Sequence, residues 1–250
     1  DWYKRTNGSD FGWYATYPTF RSCETCGIAS AMRLLLELAQ SGHPEYLNDV
    51  ERCVRNQVVE AQFREPAVLA KKDLPVSPVL LGMFDSQSLP NSHLGQGGFE
   101  DVGSVEGCCL NGGTRALFLA WQNIVTQKAG DVFVNLAISR DSPWAEVIGY
   151  QPYEGRVDIR LHYQARRLHV RVPDWADHGR TAVRIDGKPT TAWSWSGPYV
   201  TVGGLKPDQV CSVSYPLRRT TDNVTVGGKQ YRITWRGDTV IAIDPPGQRD

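Results

Sequence analysis

No apolar run in this 250-residue chain approaches the roughly 20 residues that a membrane span needs. The nearest, VSPVLLGMF at 76–84, is broken by Pro78 and Gly82, so no membrane partner is expected. Net charge is missing as well, since 27 Lys plus Arg balance 27 Asp plus Glu. Without a broad basic field nothing holds a phosphate backbone, and nucleic acid drops out as an expected partner. Internal repeats and low-complexity tracts are also absent. The chain opens DWYKRTNGSDFGW, with no initiator Met, basic start or apolar h-region. That is not a signal peptide pattern, and it reads as a piece of a longer protein.

What is present is the composition of a globular protein, 41% hydrophobic and 22% charged, long enough for one large domain or two ordinary ones. Eight Trp and ten Tyr supply rings for cores or for stacking on sugars. Six cysteines stand at 23, 26, 53, 108, 109 and 211. Cys53, on a helical stripe, and Cys211, in the strand-like QVCSVSY, read as buried thiols. The adjacent Cys108 and Cys109 are poorly suited to a disulfide with each other and better suited to facing a common point. A reducing, cytoplasmic setting fits this usage.

The hydrophobic period changes part-way along the chain. Up to about residue 128 it is helical. ETCGIASAMRLLLELAQSG carries apolar residues three and four apart, with Ser22 as the expected N-cap and Gly42 as the stop. A second helix is expected after Pro44, with a stripe through Leu47, Val50, Val54 and Val58. A third runs from about Thr114 to Lys128, with Leu117, Ala120, Trp121 and Ile124 on one face. Between the second and third lies a long Pro-, Gly- and Ser-rich stretch ending at Cys108; a connection that long is usually functional or disordered. After Gly130 the period becomes two, in DVFVNLAIS, RVDIRLHY, RLHVRVPDW and five further short runs. Evenly spaced strands of this kind predict an antiparallel β-sandwich or barrel. The expected organisation is a helical domain over 1–129 and a β-sandwich domain over 130–250.

Two motifs carry chemistry: SCETCGIAS (22–30) at a helix start and EGCCLNGGT (106–114). Zinc is held by four ligands drawn from Cys, His and carboxylates. Cys26, Cys108 and Cys109 offer three thiolates, and Glu24 or Cys23 a fourth ligand. A helix start favours anions, which suits ligands and also activates a nucleophilic thiol. Three other readings stay open at this point. They are a structural zinc on Cys23, Cys26, Cys108 and Cys109, a redox pair of Cys23 and Cys26 that lacks the usual βαβ context, and chance spacing.

Glu24-Thr25-Cys26 heading an apolar helix, with Cys108-Cys109 heading another, resembles glycoside hydrolase family 127, the β-L-arabinofuranosidases and their relatives. YLNDVERCVRNQVVEAQ, VNLAISRDSPWAEVIGYQPYEGRV and TWRGDTVIAIDPPG are similar in flavour. The resemblance runs over nearly this whole chain, which covers only the later part of a typical member. It implies a segment of an (α/α)6 barrel followed by an antiparallel β-sandwich, with a zinc ion held by Glu24, Cys26, Cys108 and Cys109. It further implies retaining cleavage of arabinofuranosidic or related bonds, with Cys108 as the nucleophile. Members carry a general-acid Glu in a G-E-x-F-like stretch. Aligned on Gly8 and Phe11, that place holds Ser9, and Asp10 beside it is the carboxylate carried over as catalytic. Cys23 is extra, and could stand in for Glu24 on the metal. Three helices do not close a six-hairpin barrel, so a missing N-terminal part or a second chain is an expected partner, beside a carbohydrate substrate.

Other side chains draw blander expectations. Asp85, Glu100, Asp101 and Glu106 of the long connection read as solvated, as do His93, His162, His169 and His178. Trp193 and Trp195 read as core, and Trp144 and Tyr153 as fasteners of sandwich to barrel. Two rival functions are a non-catalytic carbohydrate-binding protein with a structural zinc, and a thiol–disulfide redox protein. The sugar, its linkage and anomer, and the oligomeric state are not legible.

Overall fold

A computed structural model describes residues 8–15, 22–64, 81–92 and 106–247. His93, Glu100 and Asp101 lie outside them. Among the described residues there are three α-helices: α1 (Thr25–Gln40), α2 (Tyr46–Cys53) and α3 (Gly107–Ile124). A single π-turn, Val54–Val58, prolongs α2. No helix of the described residues is long and apolar enough to cross a membrane.

Helix α1 forms because Ile28, Met32, Leu35 and Leu36 recur on one buried face. Each such side chain stabilises the fold by about 1.5–3 kcal/mol when taken out of water. The helix starts later than Ser22. Glu24 is its extended N-cap, and Cys23–Glu24 forms a two-residue strand, β1, paired with Gln87–Ser88 (β2). Ser22 is buried and its hydroxyl donates to Gln87 Oε1 at 3.4 Å. Its capping group is spent on a distant residue that local pattern does not reveal.

Helix α3 starts earlier than expected, with Cys108 and Cys109 in its first turn, and ends at Ile124. Its buried face is Ala116, Ala120 and Ile124. Trp121 lies off that face, 49% exposed, with the Arg140 guanidinium 3.8 Å above its ring. The stretch Val125–Lys128, expected helical, is already strand β3, because Val125 is fully buried opposite Val134 of β4 (Asp131–Val134).

Two sheets follow. One has five strands in the order β11-β12-β8-β4-β3, with β8 Arg167–Arg171, β11 Trp193–Ser196 and β12 Tyr199–Gly203. The other has six, β10-β9-β13-β7-β6-β5. Its members are β5 Arg140–Asp141, β6 Ala145–Gly149, β7 Arg156–Leu161, β9 Ala182–Ile185, β10 Lys188–Thr190 and β13 Val210–Ser214. Alternate residues such as Val132, Val134, Leu168, Val170, Val200, Val157, Ile159 and Val213 point into one shared core, as a period of two requires. Pairing is antiparallel except between β4 and β8, which run parallel. The chain leaves β4, builds β5 to β7 in the other sheet and returns, which is the long crossover a parallel pair needs. Cys211 and Cys53 are buried as expected. A separate three-stranded meander, β14 (Arg219–Val226), β15 (Lys229–Arg236) and β16 (Thr239–Asp244), closes the chain.

The helical and β parts share one apolar core, against which Trp144 is partly buried, and are joined by charge as well. Tyr153, the other expected fastener, is 77% exposed. Glu51 of α2 is fully buried, pairs with Arg55 at 2.8 Å and with Arg171 of β8, and accepts the Ala137 N–H at 3.1 Å. Arg52, one residue on, binds Asp174 at 2.8 Å and Asp238 at 3.0 Å. Such buried charges are tolerable only when paired and hydrogen-bonded, as Glu51 is.

Candidate functional site

The described middle of the long connection, residues 81–92, staples two helix starts together. Thr25, the first residue of α1, donates its hydroxyl to Asp85 O at 2.7 Å and lies 3.0 Å from Asp85 Oδ1. Asp85 is therefore buried structure and not a solvated loop carboxylate. At α3, the Glu106 N–H donates to Ser86 Oγ, and the Cys109 thiol lies 3.4 Å from Ser86 O. Trp13 closes the far side, its indole N–H donating to Ser88 O at 3.2 Å.

Two glycines then allow α3 to approach. A Cβ on Gly112 would stand 2.5 Å from Cys26 Cα, and one on Gly113 would stand 2.1 Å from Phe84 Cγ. These are closer than real Cβ contacts come, so the NGG after the cysteine pair is a packing requirement of the site. Nothing in the hydrophobic period signals it; the adjacent glycines inside a helical run were the available clue.

The result is a sulfur cluster. Cys109 Sγ is 3.6 Å from Cys26 Sγ and 3.7 Å from Cys108 Sγ, and all three sulfurs lie within 4.8 Å of one another. Glu24 Oε2 is 3.5 Å from Cys26 Sγ. Cys23, next to Glu24 on β1, points the other way: it is fully buried and is not among the three. Cys108 is exposed, Cys26 half-buried and Cys109 buried, and all six cysteines are free thiols. Burial pushes the thiols of Cys26 and Cys109 above the ordinary range. A Glu106 carboxylate oxygen lies 3.9 Å from Cys108 Sγ.

The spacing can be compared with what a metal would impose. Zinc–thiolate bonds of about 2.3 Å in a tetrahedron set sulfur–sulfur edges of about 3.8 Å, and a carboxylate oxygen at about 2.0 Å gives a sulfur–oxygen edge of about 3.5 Å. The observed separations of 3.6, 3.7 and 3.5 Å fall on those edges. Three thiols and a carboxylate are donor types that zinc takes, and the three sulfurs are close enough to share one ion. The Glu24 carboxylate reaches Cys26 but is not within 4.8 Å of all three sulfurs, so it would have to turn to act as the fourth ligand.

Asp10 is placed elsewhere. It sits in the turn between Ser9 and Trp13 and lines a hollow with Arg52, Trp175 and Trp235, which none of Glu24, Cys26, Cys108 and Cys109 lines. His169, expected on the surface, is buried between Asp131 and Thr201. Trp193 packs partly on the core, while Trp195 stacks on His178 with ring centres 4.2 Å apart.

No family model matches the chain. The curated proteins contain no match either. Solved structures do match. A GH127 β-L-arabinofuranosidase from Geobacillus stearothermophilus T6 superimposes with a TM-score of 0.64 at 13% identity, over 94% of this chain and 40% of its own. A GH127 β-arabinofuranosidase gives 0.60 at 16% identity, over 91% and 38%, and a protein described as a glycoside hydrolase gives 0.57 at 18%, over 87% and 37%. The chain therefore spans about 40% of the length of the GH127 structure it matches at 13% identity. The resemblance read from Glu24-Thr25-Cys26 and Cys108-Cys109 holds at the level of the fold: this chain is folded like the corresponding part of the family 127 glycoside hydrolases.

Proposed function

We propose that this chain is the thiolate-bearing part of a zinc-dependent glycoside hydrolase that cleaves arabinofuranosidic or related bonds with retention. The observation that carries this reading is the cluster of three sulfurs at two helix starts, in a fold shared with GH127 enzymes. Glu24, Cys26, Cys108 and Cys109 would hold the ion. When bound, zinc would keep sulfur deprotonated at neutral pH, which burial alone opposes.

Cys108 is the exposed sulfur and so the one a substrate can reach. Its thiolate attacks the anomeric carbon as the glycosidic C–O bond breaks, and the leaving oxygen takes a proton from a general-acid carboxyl group. Water then attacks the same carbon from the opposite side and gives a proton to the carboxylate left by the first step, the C–S bond breaks, and the sulfur returns as thiolate. Two inversions give net retention. The resemblance gives the acid role to Asp10; because Asp10 lines a hollow that none of the cluster residues lines, the donor of this proton is put to the test of Asp10→Asn below. The barrel segment and its completion by an N-terminal part or a second chain belong to the same proposal.

The test is metal content by elemental analysis together with hydrolysis of aryl β-L-arabinofuranosides, for the natural chain, Cys108→Ala and Glu24→Ala. One zinc per chain, with turnover abolished in Cys108→Ala, supports the reading. Zinc with sugar binding but no turnover favours a non-catalytic binding protein with a structural metal. Oxidised Cys23 and Cys26 with no zinc favours the redox alternative.

A further inference from the structure

A second hollow lies where the terminal meander meets the helical part. Its walls come from four segments: the Ser9–Trp13 turn, the end of α2, the loop after β8, and the β14–β15 pair. Junctions of this kind are favoured places for ligand sites. Thr220 of β14 stands directly opposite Trp235 of β15, so both face the same way, and Arg218 and Asp222 share that face by alternation. All four line the hollow, opposite Arg52 and Trp175. Gly237, at the β15–β16 turn with φ +62°, allows close approach, since a Cβ there would stand 3.1 Å from the Trp175 ring.

The chemistry of the lining is specific. Arg52 is already held by Asp174 and Asp238, so it is a fixed donor and not a mobile charge. The guanidinium of Arg218 and the carboxylate of Asp222 are exposed at the rim, with no hydrogen bond or ion pair to any described residue. Trp175 is set edge-on to the buried Tyr215 at 5.5 Å, which fixes its indole. Guanidinium, carboxylate and hydroxyl beside two indoles offer donors and acceptors for vicinal hydroxyls, and an apolar wall for the C–H face of a sugar ring. Arg52 is already paired with two carboxylates, and at the rim Arg218 stands beside Asp222, so a strong anion is not favoured. The volume of about 170 Å³ is roughly tenfold the 10–15 Å³ that a single water needs on the same measure, room for one ring.

We propose that this hollow is a binding subsite for one neutral sugar unit of a glycan, separate from the cysteine cluster. The test is titration of the whole chain with methyl β-D-galactopyranoside, followed by tryptophan fluorescence and saturation-transfer NMR. Saturable binding is expected, weakened about tenfold in Arg218→Ala and in Asp222→Ala. Both rim variants should keep the unfolding midpoint of the natural chain. Absence of saturable binding, or binding indifferent to both rim substitutions, would overturn the assignment. Hydrolysis is read separately on the same samples, so failure of the hydrolase reading would not be mistaken for failure of this one.

Discussion

Gly112 of α3 lies so close to Cys26 of α1 that a single added Cβ would stand 2.5 Å from the Cys26 Cα and 2.7 Å from its Cβ. The two sulfur-bearing helices are thus set at their separation by a residue that has no side chain.

Gly112→Ala should therefore force the helices apart. Overpacking of this kind costs about 1–3 kcal/mol, and separating Cys26 from Cys109 should cost metal binding as well. Gly27 is the control, being helical with nothing within 4 Å of a Cβ. Gly27→Ala should stabilise by about 0.5–1 kcal/mol through helix propensity. Urea unfolding and zinc stoichiometry on both variants check this; equal behaviour of the two would remove the close-approach argument.

Metal affinity should fall on acidification. Burial holds the Cys26 and Cys109 thiols protonated at neutral pH, so a bound cation has to displace their protons. Affinity then rises with pH, by about tenfold per unit for each proton released. Calorimetry in buffers of different ionisation enthalpy would count those protons. A zinc affinity flat between about pH 6 and 8 contradicts thiolate ligation.

Much of this was readable from the chain alone, and the failures share a cause. The stripe of Ile28, Met32 and Leu35 and the alternation of Val132 with Val134 are local patterns that tertiary packing followed. The Cys26–Cys108–Cys109 grouping was readable because motif residues carry their chemistry with them. What escaped depends on distant partners. Ser22 bonds Gln87 instead of capping, Asp85 takes the Thr25 hydroxyl, His169 is buried against Asp131, and Glu51 finds Arg171. No window of a dozen residues contains both members of any of these pairs.

The Glu51 network should behave as a structural lock. Burial opposes its charge, but Arg55 and Arg171 outweigh that and hold the carboxyl below its usual range. Glu51→Ala strands the buried Arg171 and should cost about 3–5 kcal/mol. Adding Arg171→Met should recover much of it, as apolar replacements of buried ion pairs do. Chemical denaturation of the single and double variants reads the difference; a double variant no better than the single one would show that the pair is not coupled.

Asp131 makes a stability contribution with a definite pH sign. Arg166, bonded through both nitrogens at 2.8 Å, and then His169 bring its carboxyl down to about 2. A folded-state value below the unfolded one of about 3.9 stabilises above that unfolded value and is lost as pH falls towards 2. Asp131→Asn should lower the melting temperature at neutral pH, and the gap to the natural chain should close between about pH 4 and 2. A constant gap across that range would mean that the substitution acts through packing rather than charge.

Asp10 decides how far the resemblance reaches into the chemistry. As general acid, its loss should slow turnover by 10²–10⁴-fold, approximately, and remove the alkaline limb of the pH profile. Its position argues the other way: it lines the hollow of Arg52, Trp175 and Arg218, and no cluster residue lines that hollow with it. A proton donor has to lie within hydrogen-bond reach of the leaving oxygen while Cys108 faces the anomeric carbon. The expected outcome for Asp10→Asn is therefore unchanged zinc content and turnover within about twofold, with aryl substrates of good and poor leaving groups affected alike. A large loss confined to poor leaving groups would instead return Asp10 to the acid role, and would require the Ser9–Trp13 turn to swing towards Cys108 when substrate binds.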